Sequence, residues 1–157
     1  MATLRSLIAL SAAICGALPA SAQQAPQQIV QAVDAANTLF VQDWNKHDPT
    51  AIIATFTPNA LYIAPAGNFV GRDGVKQYYE KLFATMHPAL DFTHDIDRVE
   101  MLSNDLAVAL GHWSIANPPA KGFWSAVYEH QGTAWLMRVH TATVTPPAPA
   151  AQSTSKQ

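Results

Sequence analysis

The chain has 157 residues, with nine Lys and Arg against eleven Asp and Glu and a formal net charge of −2. It has no basic stripe to follow a phosphate backbone or an anionic membrane surface, so nucleic acid and such membranes are poor candidate partners. Its only cysteine, Cys15, lies in a segment expected to be removed, which leaves the mature chain without a disulfide, a thiolate metal site or a cysteine nucleophile.

That segment is residues 1–22. Arg5 supplies a short positive region, Leu7 to Leu18 an apolar run, and Ala20-Ser21-Ala22 an A-x-A cleavage site, so a signal peptide cut after Ala22 is expected. The run is shorter than the roughly 20 residues a spanning helix needs, and no later segment approaches that length. Ile14 before Cys15 is a poor match to the small residue a lipoprotein signal wants. The expectation is an exported, soluble protein, periplasmic or secreted. Loss of Arg5 leaves eight basic against eleven acidic side chains, a net charge of −3, on a chain long enough for one domain.

Residues 23–27 read as a loose leader. Ile29, Val33, Ala36, Phe40 and Trp44 then recur at helical spacing, as one face buried against a sheet requires. Asp48-Pro49 offers a cap and a preset first turn for a short helix with Ile52, Ile53 and Phe56 on its apolar face, and Pro58-Asn59 stops it. Leu61-Tyr62-Ile63 and Phe69-Val70 are short strands flanking the turn Pro65-Ala66-Gly67-Asn68. Asp73 can cap a third helix, with Val75, Tyr78, Tyr79, Leu82 and Met86 on one face and Pro88 at its end.

The second half reads as strands over 92–102, 106–115, 122–130 and 134–144, the last pair joined by a tight turn at Gln131-Gly132. Residues 146–157 lack the apolar periodicity to join a core and read as a disordered tail. The order specifies an α+β domain over 28–145: a strongly bent antiparallel sheet of about six strands, two of them a short hairpin, with three helices over its concave face. No internal repeat is present.

Several segments carry a family resemblance: Trp44-Asn45-Lys46-His47-Asp48-Pro49, Phe56-Thr57-Pro58-Asn59-Ala60, Gly71-Arg72-Asp73-Gly74-Val75 and Trp135-Leu136-Met137-Arg138-Val139. The chain resembles the superfamily of nuclear transport factor 2, the ketosteroid isomerases and the SnoaL-like cyclases. That resemblance implies a cone-shaped cup, a fold that hosts isomerases, cyclases, dehydratases and proteins with no chemistry, so the activity must be argued from the site. In ketosteroid isomerases an Asp abstracts a proton while a Tyr and a protonated Asp form the oxyanion hole. The alignment puts Ala64, Phe40 and Ala126 at those positions, and such side chains cannot perform that reaction.

Other groups must then line the cavity. Alternation puts Trp124, Ala126 and Tyr128 on one strand face, His112 with Leu110 and Ser114, Trp113 with Ala109 and Gly111, and His140 with Leu136 and Arg138. A single bulge would swap such assignments, so both His112 and Trp113 stay candidates. The catalytic candidates are His112, His140, Tyr62 and Asp43: the histidines because imidazole titrates near neutrality, Tyr62 as a donor to a carbonyl. Tyr62, Trp44, Trp113, Trp124 and Tyr128 are the candidate ligand-binding residues, suited to a ring-containing molecule. Trp135 reads as core.

The histidine spacing does not favour a metal site, and Asp91, Asp95 and Asp97 around His94 read as a solvated strand rather than a calcium loop. No cofactor is expected. Three readings stay open. The domain binds a small apolar or ring-containing molecule, or it is an isomerase, cyclase or dehydratase using a cavity histidine with Tyr62, or its outer sheet face makes a homodimer.

Overall fold

A computed structural model describes residues 23–86 and 91–146. The expected signal peptide of residues 1–22, the expected helix stop at Pro88 and the expected disordered tail beyond Pro146 lie outside the described residues. The chain runs β1 (Gln23–Gln24), α1 (Gln27–Asn45), α2 (Pro49–Ala54), β2 (Phe56–Ala64), β3 (Gly67–Val70), α3 (Gly71–Thr85), β4 (Phe92–Met101), β5 (Leu106–Ile115), β6 (Ala120–Gln131) and β7 (Ala134–Ala142). The strands form one curled sheet in the order β1-β4-β5-β6-β7-β2-β3, antiparallel except for the parallel pair β2–β7. This is the α+β cone with three helices that the sequence leads one to expect.

The helices form for the anticipated reasons, with corrections at their ends. Asp48 caps α2 by accepting from the Thr50 and Ala51 amides at 3.0 and 2.9 Å, and Pro49 opens the first turn. Pro58-Asn59 does not end α2. Thr55 does, and β2 already begins at Phe56, passing through Pro58 where its register against β7 shifts and no ladder amide is demanded. Asp73 lies in the first turn of α3 rather than at its cap, facing the positive helix end. The chain enters that helix through Gly71, whose φ of 68° is costly for a residue with a side chain.

At the N-terminal edge, Gln23–Gln24 pairs with Met101 and Glu100 of β4, and the Ala25 amide donates to the Val99 carbonyl. Backbone pairing needs no side-chain pattern, so a segment that reads as a loose leader becomes a short edge strand.

Two bulges decide which side chains face inward. On β4, Ile96 pairs with Gly111 and Arg98 with Leu110, leaving Asp97 as the extra residue. On β7, Val139 pairs with Val127 and Met137 with Tyr128, leaving Arg138 extra. The second bulge breaks the grouping of His140 with Leu136 and Arg138. His140, Met137 and Trp135 are all buried, while Arg138 stays at the surface.

Candidate functional site

The concave face and the helices enclose a cavity of about 250 Å³. From α1 come Phe40 and Trp44, the inner end of the apolar stripe that also buries Val33. From α3 come Tyr78, Tyr79 and Leu82, with Met86 just past its last turn. The β2–β3 hairpin contributes Tyr62, Pro65 and Ala66, and the sheet adds Phe92, His94, Trp113, Ile115, His140 and Ala142. None of the described residues lining it is Lys, Arg, Asp or Glu.

At its floor stands a polar chain buried in apolar surroundings. Asn37 on α1 donates through Nδ2 to the His94 backbone carbonyl at 2.6 Å, while its Oδ1 lies 2.6 Å from Nδ1 of the same histidine. His94 Nε2 lies 3.1 Å from His140 Nε2. The carbonyl fixes the amide orientation, since a flipped amide would press oxygen against oxygen. Asn37 Oδ1 therefore accepts the proton on His94 Nδ1. His94 Nε2 is then the acceptor, and His140 Nε2–H donates to it. The remaining ring nitrogen of His140, Nδ1, is a bare acceptor, and it has no hydrogen-bond partner among the described residues.

Aromatic rings hold this chain in place. His94 stacks on Trp124 at 3.9 Å between centroids, and His140 lies parallel to Tyr62 at 5.0 Å and to Trp124 at 6.0 Å. Burial lowers the pKa of both histidines. His94 falls well below the ordinary imidazole range, with His140 beside it adding to the shift, and His140 falls to about 3. Both are neutral at pH 7. Burial likewise raises the Tyr62 phenol well above its usual range, reinforced by the neighbouring Tyr79 and Tyr78. Tyr79 is raised for the same chief reason, burial.

Two glycines make room for the tryptophans. In the β5–β6 register Gly111 faces Trp124 and Gly122 faces Trp113. A Cβ on Gly111 would sit 3.0 Å from Trp124 Cε2, and one on Gly122 2.8 Å from Trp113 Nε1. Each indole lies across the opposing strand through that gap. Trp124 Nε1 donates to the Asp95 and His112 carbonyls at 3.1 and 3.2 Å, and Trp113 Nε1 to the Thr143 carbonyl at 2.9 Å.

Of the residues singled out in the sequence, Tyr62, Trp44, Trp113 and His140 come together on the cavity wall. Trp124 stands behind His94 and His140 as a backing layer. Tyr128 is fully buried deeper in the core, outside the lining. His112 faces out on the convex side, where Asp97 and Asp95 approach its two ring nitrogens at 3.1 and 3.4 Å, because β5 turns Trp113 rather than His112 inward. Asp43 points away from the cavity to Lys46, 3.0 Å off. Phe40, Ala64 and Ala126 are buried on the inner side.

Sequence reasoning missed Asn37 and His94. Asn37 falls four residues after Val33 and three before Phe40, on the buried stripe, where a polar residue announces a partner. His94 lies among acidic residues that suggest a solvated strand, yet in register it sits opposite Trp113 and so faces inward.

Comparison with known proteins agrees with this geometry. Among solved structures, a nuclear transport factor 2-like protein of unknown function from Shewanella oneidensis MR-1 superposes with a TM-score of 0.65 at 17% identity, covering 73% of this chain and 98% of that one. A ketosteroid isomerase-like protein from Erwinia carotovora atroseptica SCRI1043 gives 0.65 at 21% identity, covering 77% and 99%. A cystatin-like-fold protein of unknown function from Nostoc punctiforme PCC 73102 gives 0.71 at 14%, covering 81% and 98%. These likenesses concern the fold alone. No curated protein matches. Residues 38–146 match the family described as the SnoaL-like domain, more than half of the sequence, and the chain belongs to that family.

Proposed function

We propose that this SnoaL-like domain binds a small, neutral, ring-containing molecule in its cone cavity. The observation that carries the reading is the lining: among the described residues it consists of aromatic and aliphatic side chains with no Lys, Arg, Asp or Glu. A dry apolar cavity of about 150 Å³ takes a benzene ring, so the space here suits one substituted ring or two fused rings. A charged ligand would be stripped of water with no counter-charge to meet it.

The catalytic reading is less well supported by the same residues. A general base works best with a pKa near the operating pH, and burial takes His140 to about 3. The group that orients His94 is the amide of Asn37, which has no charge to steady an imidazolium. The leader pattern of residues 1–22 supports export, which N-terminal sequencing of the protein recovered outside the cytoplasm would test.

Titration with naphthalene, followed by tryptophan fluorescence or calorimetry, tests the binding reading. Wild-type protein is expected to bind in the micromolar range and Ala142→Phe, which fills the cavity, to lose at least tenfold. Equal binding by both would remove the cavity from the account.

A specific observation also supports a homodimer through the convex face. Phe123 is 65% exposed, and Leu110, Leu61 and Ile63 are exposed on the same side of the sheet. Light scattering on the wild type should give the dimer mass and on Phe123→Lys the monomer mass. A monomeric wild type would end this reading.

A further inference from the structure

The bare nitrogen of His140 restricts what the cavity accepts. His140 is 2% exposed and lines the cavity, with Tyr62 and Trp124 parallel to its ring. Those neighbours leave the imidazole its in-plane atoms for polar contact. Nε2 is committed to His94, whose own Nδ1–H is committed to Asn37. Nδ1 is itself closed off from solvent and lacks a partner among the described residues, and the relay fixes it as an acceptor rather than a donor. A buried acceptor left unmet is unfavourable, and a ligand that supplies the missing proton donor recovers that loss on binding.

We infer that the ligand is an uncharged one- or two-ring molecule bearing a hydroxyl or N–H donor, which it gives to Nδ1 of His140. This rests on the reading that the cavity binds a small molecule, and it narrows that molecule to an alcohol, phenol or ring N–H compound. A plain hydrocarbon, an ether or a carbonyl compound without a donor leaves Nδ1 unmet. Asn37 acts as a positioning residue: by holding the His94 proton on Nδ1, it keeps the His140 proton on Nε2. The inference differs from proton abstraction by His140, since the ligand keeps its proton.

Three probes of one shape test it: 2-naphthol, which donates; 2-methoxynaphthalene, which cannot; and naphthalene. Calorimetry on the wild type should show 2-naphthol binding at least tenfold more tightly than the other two, about the effect of satisfying one buried polar group. In His140→Phe, checked for a cooperative melt, the preference should shrink to within about threefold of unity. Equal binding of the three probes by the wild type, or a preference that survives His140→Phe, overturns the inference while leaving a cavity that binds rings. Failure of all three to bind overturns both it and the reading it rests on.

A second measurement needs no variant. In ¹⁵N-labelled wild-type protein at pH 7, the imidazole resonances should show His94 protonated on Nδ1 and His140 on Nε2, with the His140 Nδ1 signal moving when 2-naphthol is added. A protonated His140 Nδ1 contradicts the inference outright.

Discussion

His140 couples stability to acidity. Its ring is neutral and buried in the fold with a pKa of about 3, against 6.5 when exposed. Above the exposed value neither state binds the proton and nothing is lost. As pH falls below it, the unfolded chain takes up a proton that the folded chain refuses, so stability declines towards the folded value. The loss from His140 between pH 6.5 and 5 is about 2 kcal/mol. His94, lowered in the same direction, adds to it. Thermal melts should therefore show Tm falling from pH 7 to 5, with a shallower decline in His140→Phe. A variant that tracks the wild type over that interval would contradict the neutral, buried assignment.

The same side chains mark where sequence reading stops. Tyr62 and Trp44 can be nominated from periodicity because each lies on a strand or helix of plain pattern, and His140 from the chemistry of its side chain alone. Which of His112 and Trp113 faces inward cannot, since alternation defines two faces without naming them. His94 escapes because the acidic residues around it give its strand a solvated look. The extra residue at Arg138 then shifts the phase of β7, so that Met137 and His140 are both buried.

Among the strands, the most informative pattern is a repeated Gly-x-Trp. Gly111-His112-Trp113 on β5 and Gly122-Phe123-Trp124 on β6 run antiparallel, so each tryptophan lies over the other strand's glycine. This signal was present in the sequence, and reading it requires the register. It makes a sharp prediction, because a Cβ on Gly122 would stand 1.8 Å from the Thr143 carbonyl oxygen as well as against Trp113. Gly122→Ala must separate β6 from β7 or expel the indole from the cavity wall, at a cost of about 3 kcal/mol, the upper end for overpacking. Denaturant unfolding should show that loss together with a changed near-UV dichroism from Trp113. An unaltered midpoint would mean the strands yield more easily than the structure implies.

Helices and hairpin were legible earlier because capping and turn chemistry is local. Asp48-Pro49 opens α2 by a mechanism that involves only neighbouring residues. The edge strand β1 was not, since its partner lies at Glu100 and Met101, far along the chain.

For the molecule as a unit, the fold divides its labour between two sheet faces. The convex face exposes Phe123, Leu110, Leu61 and Ile63, a surface suited to a second copy of the chain. The concave face turns a helix stripe, a hairpin and two tryptophans into an apolar cavity with one polar chain at its base. Phe40, Ala64 and Ala126, which the resemblance sets at the ketosteroid isomerase positions, are buried on the inner side and carry no acid, base or donor. The proposed binding of a neutral ring with a proton donor is the use this lining suits.

A crystal structure of the protein with 2-naphthol addresses that use most directly. The account predicts the fused rings inside the cone, between Phe40, Trp113 and Tyr79, with the hydroxyl oxygen within hydrogen-bond distance of His140 Nδ1. Rings bound elsewhere, or a hydroxyl turned away from His140, would contradict it.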